Sequence, residues 1–163
     1  MADVHSKETR NYNMTQIRGK DTKIEILIRK YLFSRGLRYR KNDNRYPGKP
    51  DMVFPKYKTI VFANSCFWHG HEGCSGFVMP RTNIEYWQPK IEGNKRRDAE
   101  HIAELQANGW RVITVWECEC GDRLRKVVRD ERLAKLYDEI VAVISVMRSY
   151  RHPRKTPVQL NST

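Results

Sequence analysis

A chain of 163 residues has the size of one ordinary domain and can bury a core without disulfides to hold it together. Its 31 lysines and arginines against 19 acidic residues give a net charge of +12, spread along the whole chain, which favours a polyanion such as nucleic acid as partner. No apolar run is long enough to span a bilayer, and the polar start "MADVHSKETRNYN" lacks a signal peptide's apolar stretch, so no membrane role is read and a cytoplasmic location is expected.

The first twenty residues are rich in Arg, Lys and Asn and read as a flexible basic arm, 1–20. In "DTKIEILIRKYLFSRG" the apolar positions Ile24, Leu27, Ile28, Tyr31 and Leu32 fall on one helical stripe, with Thr22 as N-cap and Gly36 as stop. "LRYRKND" alternates like a short strand, and "RYPGKP" breaks the chain. "DMVF" and "KTIVFAN" follow as strand-like runs joined by a turn at Pro55 to Tyr57, a predicted hairpin. After "NSCFWHGHEGC" and "RTNIEYW", Pro89 is predicted to open a polar helix that Gly109 closes, and "WRVITVWE" to form a buried strand. From Asp122 to about Met147 an amphipathic helix is predicted, with Leu133, Leu136, Tyr137, Ile140 and Ile144 on one stripe. The basic tail, 148–163, is expected to be disordered. This order, without internal repeats, predicts a small α/β sheet with helices on its faces, built from residues 21–147.

Four cysteines in a reducing compartment suit a metal better than a disulfide framework. Cys66, His71 and Cys74 lie within nine residues, and Cys118, after a predicted strand, can be delivered to the same place. Such a set matches a closed, tetrahedral structural zinc site. Cys120 competes for the fourth position, although two residues along an extended chain displace a side chain by about 6–7 Å. His69 is then left over, a histidine beside the metal loop able to act as a base near neutral pH. Asp51, straight after a proline that cannot donate to a sheet ladder, is either a turn cap or a carboxylate for a hard cation such as Mg²⁺. Glu25 is a candidate second carboxylate, but Thr22-x-x-Glu25 also fits a capping box. Phe67 and Trp68, with Tyr86 and Trp87 soon after, either belong to the core or stack on bases. Trp110 and Trp116 are assigned to the core.

The stretches "NMTQIRGKDTKIE", "PGKPDMVF", "CFWHGHEGC", "EYWQPKIEGNKRRD" and "GWRVITVWEC", in this order and spacing, closely resemble the very-short-patch repair (Vsr-type) DNA mismatch endonucleases over roughly residues 5 to 120. The resemblance implies a restriction-endonuclease-like fold, a small mixed sheet flanked by helices, with a structural zinc site. It implies an Mg²⁺-dependent endonuclease that nicks one strand 5′ of the thymine in a T·G mismatch left by deamination of 5-methylcytosine, initiating very short patch repair. Asp51 would be the central Mg²⁺ carboxylate, with the backbone carbonyl of Ala63 as second protein ligand. Glu25 and His69 would act on metal-bound water, His69 as base or proton shuttle. Cys66, His71, Cys74 and Cys118 would hold zinc. Phe67, Trp68 and Trp87 would wedge into the duplex, and the arm would cross the minor groove. The implied partner is double-stranded DNA with a T·G mismatch, joined by other repair proteins, and the protein would be a monomer in a bacterial-type cytoplasm, associated with the nucleoid when on DNA.

The chain departs from the pattern in two places. Ala63-Asn64-Ser65 stands where restriction-like nucleases carry a Glu-x-Lys or similar pair and where some Vsr-type proteins have a histidine at the position of Asn64, and Cys74 stands one residue off the spacing of some relatives. Rival readings are a restriction-like endonuclease of other specificity, cutting matched duplex equally, and a non-catalytic zinc-containing DNA-binding module. An RNA-binding protein is a further alternative.

Overall fold

The computed structural model describes residues 8, 9, 12, 15, 19–121 and 124–151, with 143–151 as backbone alone. Most of the predicted arm and most of the tail lie outside the described residues. Helix α1, Lys23–Ser34, begins at the N-cap Thr22 with the capping box to Glu25 in place. It ends as the sequence predicts: Gly36 adopts φ +86°, a left-handed conformation that is cheap only for glycine. Gly36 N–H then donates to Phe33 O at 3.0 Å and Leu37 N–H to Leu32 O at 3.0 Å. That pair of bonds closes the helix and brings two core leucines together.

Strand β1 is only Arg40–Lys41, shorter than "LRYRKND" suggested. Strands β2, Met52–Phe54, and β3, Thr59–Asn64, form the predicted hairpin around a 3-10 turn at Pro55–Tyr57. Strand β4, Arg111–Trp116, pairs with β3 in parallel, whereas β2 pairs antiparallel with both β1 and β3, giving a mixed sheet in the order β1-β2-β3-β4. The parallel pair requires a long crossover, which the metal loop and helix α2 supply.

Helix α2, Ile84–Ala107, does not open at Pro89 but at Ile84, with Pro89 inside it. Proline lacks the N–H that would reach Glu85 O. Near an exposed N-terminus that loss falls on a carbonyl open to water, so the helix tolerates it. Its C-terminus repeats the closure of α1: Gly109 takes φ +75°, Gly109 N–H reaches Gln106 O at 2.9 Å and Trp110 N–H reaches Leu105 O at 3.0 Å. The last predicted helix is also corrected. One short helical turn, α3 at Glu117–Cys120, follows β4 directly, and the long helix α4 begins only at Lys126, running to Arg151 and so into the segment read as tail.

The period-two alternation of the strands sorts side chains to two cores. Met52, Phe54, Val61, Ile113 and Val115 face α1 and α4, joining Ile24, Ile28, Leu32, Leu133, Leu136 and Ile140. Val53 and Ile60 face α2, where Leu105 is buried and Tyr46, Phe62, Trp110 and Val112 pack around it. Leu133, Leu136, Tyr137 and Ile140 therefore form the stripe that periodicity predicts, while the side chain of Ile144 lies outside the described residues. No helix among the described residues is long and apolar enough to cross a membrane.

Candidate active site and metal cluster

Asp51, the predicted first residue of the strand, stands immediately before β2, which begins one position later at Met52. Its Oδ2 accepts the Ala63 N–H at 2.7 Å. The register explains why. Met52 faces Val61, so two positions further along the ladder Pro50 faces Ala63. In an antiparallel ladder such a pair exchanges both its N–H···O bonds, but proline has no N–H to give. The Ala63 amide turns to the Asp51 carboxylate instead. Its carbonyl, on the same edge of the strand, has no N–H to receive from Pro50. Burial pushes the Asp51 carboxyl up from 3.8 to about 6; the Ala63 amide pulls it back, the charge of Glu25 pushes it up, and those of Arg29 and His69 pull it down. Glu25 and His69, distant in sequence, are thus electrostatic neighbours of Asp51.

Glu25 is 3 % exposed. Its Oε1 accepts from Thr22 N–H at 3.2 Å and from the Thr22 hydroxyl at 2.8 Å; its Oε2 accepts from Asp21 N–H at 3.0 Å and from the Arg29 guanidinium. The cap that the sequence predicts is therefore formed, and the same residue reaches the pocket.

His69 lies on the loop after β3, and its Nδ1 is 2.6 Å from Asp98 Oδ2 on α2. A carboxylate there selects the Nδ1–H tautomer and leaves Nε2 as an acceptor. The loop is tied to α2 at further points. Asn94 Nδ2 donates to Trp68 O at 2.8 Å, and Lys95 bonds Glu72. Gly70, at φ +59°, packs so closely on Ile91 and Lys95 that a Cβ would approach each to 2.8 Å.

The loop also carries three of four ligand atoms that converge. Cys66, His71, Cys74 and Cys118 offer donor atoms all within 4.8 Å of one another. His71 Nδ1 is 3.6 Å from Cys66 Sγ and 3.4 Å from Cys118 Sγ. The imidazole is held in that orientation by stacking on Trp116, 4.1 Å between centroids and 4° from parallel. Trp116 is thus not a core residue, as the sequence suggested, but a platform for a ligand. Burial pushes the Cys66 thiol up to about 12, so a cation has to be bound for this sulfur to ionise, and three thiols with one imidazole are a donor set suited to such an ion. Cys120 resolves the ambiguity of the fourth ligand. It is fully buried in the core beneath α4, because α3 turns it to the opposite side from Cys118.

Beside the cluster Phe67, Trp68 and Trp87 form a triangle of half-buried rings with centroids 5.2, 5.4 and 5.8 Å apart, extended by exposed Tyr86 at 5.1 Å from Trp87. The early start of α2 places Tyr86 and Trp87 in its first turn.

The DNA mismatch endonuclease Vsr family model matches residues 2–75. A type II nicking enzyme, V.NmeAIP of Neisseria meningitidis, is 46% identical over 136 residues, covering 80% of this chain and 96% of that protein. The type II nicking enzyme V.XorIIP of Xanthomonas oryzae is 44% identical, covering 78% and 98%, and the DNA mismatch endonuclease Vsr of Escherichia coli is 43% identical, covering 85% and 87%. The chain belongs to the Vsr family of DNA mismatch endonucleases. It is accordingly an endonuclease acting on DNA, and the restriction-endonuclease-like fold that the resemblance implied agrees with its mixed sheet.

Within this Vsr-family fold the residues for which the resemblance implied a role lie in the acidic pocket, the Cys/His cluster with its loop, or the aromatic triangle, whereas Cys120 and Trp110 belong to the cores. Two participants were given no role in the sequence. Arg29 sits in the polar positions of α1, and Asp98 closes the quoted stretch "EYWQPKIEGNKRRD". An expectation that His69 needs a carboxylate partner would have directed attention to Asp98.

Proposed function

We propose that this chain nicks one strand of duplex DNA 5′ of the thymine in a T·G mismatch, using Mg²⁺ at Asp51 and a structural Zn²⁺ at the Cys/His cluster. The observation that carries the reading is the shared loop: residues 66–74 hold three cluster ligands, the ring pair Phe67 and Trp68, and His69 with its carboxylate partner. Rings that disturb the base stack and the group that handles the water proton are therefore one rigid unit. Such coupling fits cleavage beside a distorted base pair better than cleavage of any duplex.

Asp51 and the carbonyl of Ala63 would hold Mg²⁺, with Glu25 and His69 reaching it through water. The ion, when bound, supplies charge stabilisation to the phosphate and lowers the pKa of bound water. The chain's own residues do the remainder. Asp98 orients His69, whose Nε2 accepts the proton of the attacking water. Phe67, Trp68 and Trp87 stack against unpaired base faces, each stack contributing about 1–3 kcal/mol, and a mismatched step costs less to open than a matched one. The basic surface binds phosphates without regard to sequence. Action on DNA as a monomer in the cytoplasm belongs to the same proposal.

The test is a nicking assay on an end-labelled duplex with T·G or T·A at one position, with Mg²⁺ or chelator, comparing this chain with Asp51→Ala. A Mg²⁺-dependent nick 5′ of the mismatched thymine alone, lost in the variant, is expected. Equal cutting of both duplexes would assign another specificity, and binding without cutting would overturn the catalytic reading.

A further inference from the structure

The acidic pocket contains a cation for which the reaction just described has no use. Arg29 follows Glu25 by one turn of α1 and is only 6 % exposed. One terminal nitrogen of its guanidinium pairs with Glu25 Oε2 and the other with Asp21 Oδ1, while its Nε is buried without a hydrogen-bond partner among the described residues. A buried guanidinium is expensive to desolvate and persists where fork geometry and partner charges offset that cost. Here the partners are two carboxylates, Asp21 and Glu25, of which Glu25 acts electrostatically on Asp51.

An ionised carboxylate offers about four acceptor positions. Glu25 has two filled by Thr22 on Oε1 and two by Asp21 N–H and Arg29 on Oε2. The Thr22 and Asp21 contacts come from the helix start itself; Arg29 is the only side-chain cation among the four donors. If it were absent, Oε2 would be open toward the pocket and the site would gain one net negative charge. A divalent cation would then meet a carboxylate free to bind it directly.

We propose that Arg29 is a positioning residue acting through Glu25: its fork keeps this carboxylate from ligating the divalent cation at Asp51 directly, so that Glu25 reaches the ion only through a water that takes the place of the longest of its four contacts, the Thr22 N–H at 3.2 Å. The inference rests on the reading above that such a cation sits at Asp51. Arg29 therefore trades affinity for the ion against correct placement of its shell. Its charge is felt at Asp51 with sign opposite to that of Glu25, as the geometry requires.

The experiment pairs Arg29→Met and Arg29→Lys with Glu25→Gln in a double-mutant cycle. Two quantities are read: binding of Mn²⁺ to the DNA-free protein, from the paramagnetic signal of the free ion, and kcat and KM on the T·G duplex. Melting temperature establishes that each variant is folded. Arg29→Met should bind Mn²⁺ roughly three- to tenfold more tightly, since a like charge has left the pocket. Its kcat should nonetheless fall about tenfold or more with little change in KM, because the metal's shell is misplaced. In the Glu25→Gln background the same substitution should leave kcat unchanged, while loss of the charge still tightens Mn²⁺ binding. Arg29→Lys, which keeps the charge and loses the fork, should bind Mn²⁺ like the parent and turn over more slowly; it decides the matter if Arg29→Met does not fold. Weaker or unchanged Mn²⁺ binding by Arg29→Met, parental turnover by Arg29→Lys, or equal losses with and without Glu25 would overturn the proposal. Asp51→Ala separates the two levels: a variant that still nicks would remove the cation site itself, whereas a dead Asp51→Ala beside a parental Arg29→Lys would remove only the role of Arg29.

Discussion

In the acidic pocket Glu25 is saturated by protein donors and Asp51 is anchored by a strand amide, whereas around His71 four side chains from two distant segments converge on one another with only a tryptophan platform beneath them. The pocket is pre-built by backbone: a capping box, a proline that leaves a ladder position open, and a register that brings Ala63 opposite it. The cluster is built by side chains alone, with the Cys66 and Cys118 thiols pushed up by burial, and a shared ion is what would hold them together. One site should thus survive loss of its metal as a structure, and the other should not.

The largest effect expected is at the cluster. Cys118→Ala should lose the bound metal and lower the melting temperature by about 10 °C or more, since ligand loss releases the loop that packs on α2. Cys120→Ala should keep the metal, as measured by elemental analysis, and cost no more than a core truncation. Equal metal loss in both would break the distinction between the two cysteines.

At Asp51 the sign is reversed. Its carboxyl is raised from 3.8 to about 6 by burial, so the folded state holds the proton more tightly than the unfolded one. The stability this brings is complete below the ordinary value and is lost as pH rises through about 6. Metal-free Asp51→Asn should therefore be more stable than the parent at neutral pH, by roughly 2–3 kcal/mol, and equal to it near pH 3.5, while failing to nick DNA. Denaturant melts at the two pH values check this; a less stable variant at neutral pH would mean that the carboxylate stabilises the fold.

Asp98→Asn tests the connection between the two regions, because His69 is carried by the cluster's loop and acts on the pocket. Loss of the partner carboxylate should lower kcat about 10–100-fold at unchanged metal content. An unchanged rate would make the His69–Asp98 pair a loop tie and nothing more.

The fold was legible where local chemistry is strong. Thr22, Glu25 and Gly36 delimit α1, apolar runs of strand length mark β2 to β4, and Gly109 ends α2. It was misread at two helix starts: Pro89 resembles an opening residue, but sits in the second turn, and the helix expected from Asp122 begins only at Lys126, after a separate turn at Glu117–Cys120. Those errors bear on function, since the early start of α2 brings Trp87 to Phe67 and the turn α3 separates Cys118 from Cys120.

By itself the sequence determined the types and spacing of the chemical groups: a Cys/His set within one loop, a carboxylate after Pro50, an aromatic pair between ligands, and motifs that identify the family. Local spacing and side-chain chemistry suffice for these. The burial of Cys120 away from the cluster, the pairing of His69 with Asp98 and the burial of Arg29 against Glu25 were decided only by tertiary structure. Each depends on register or packing between segments far apart in the chain, and no local pattern encodes the distance between them.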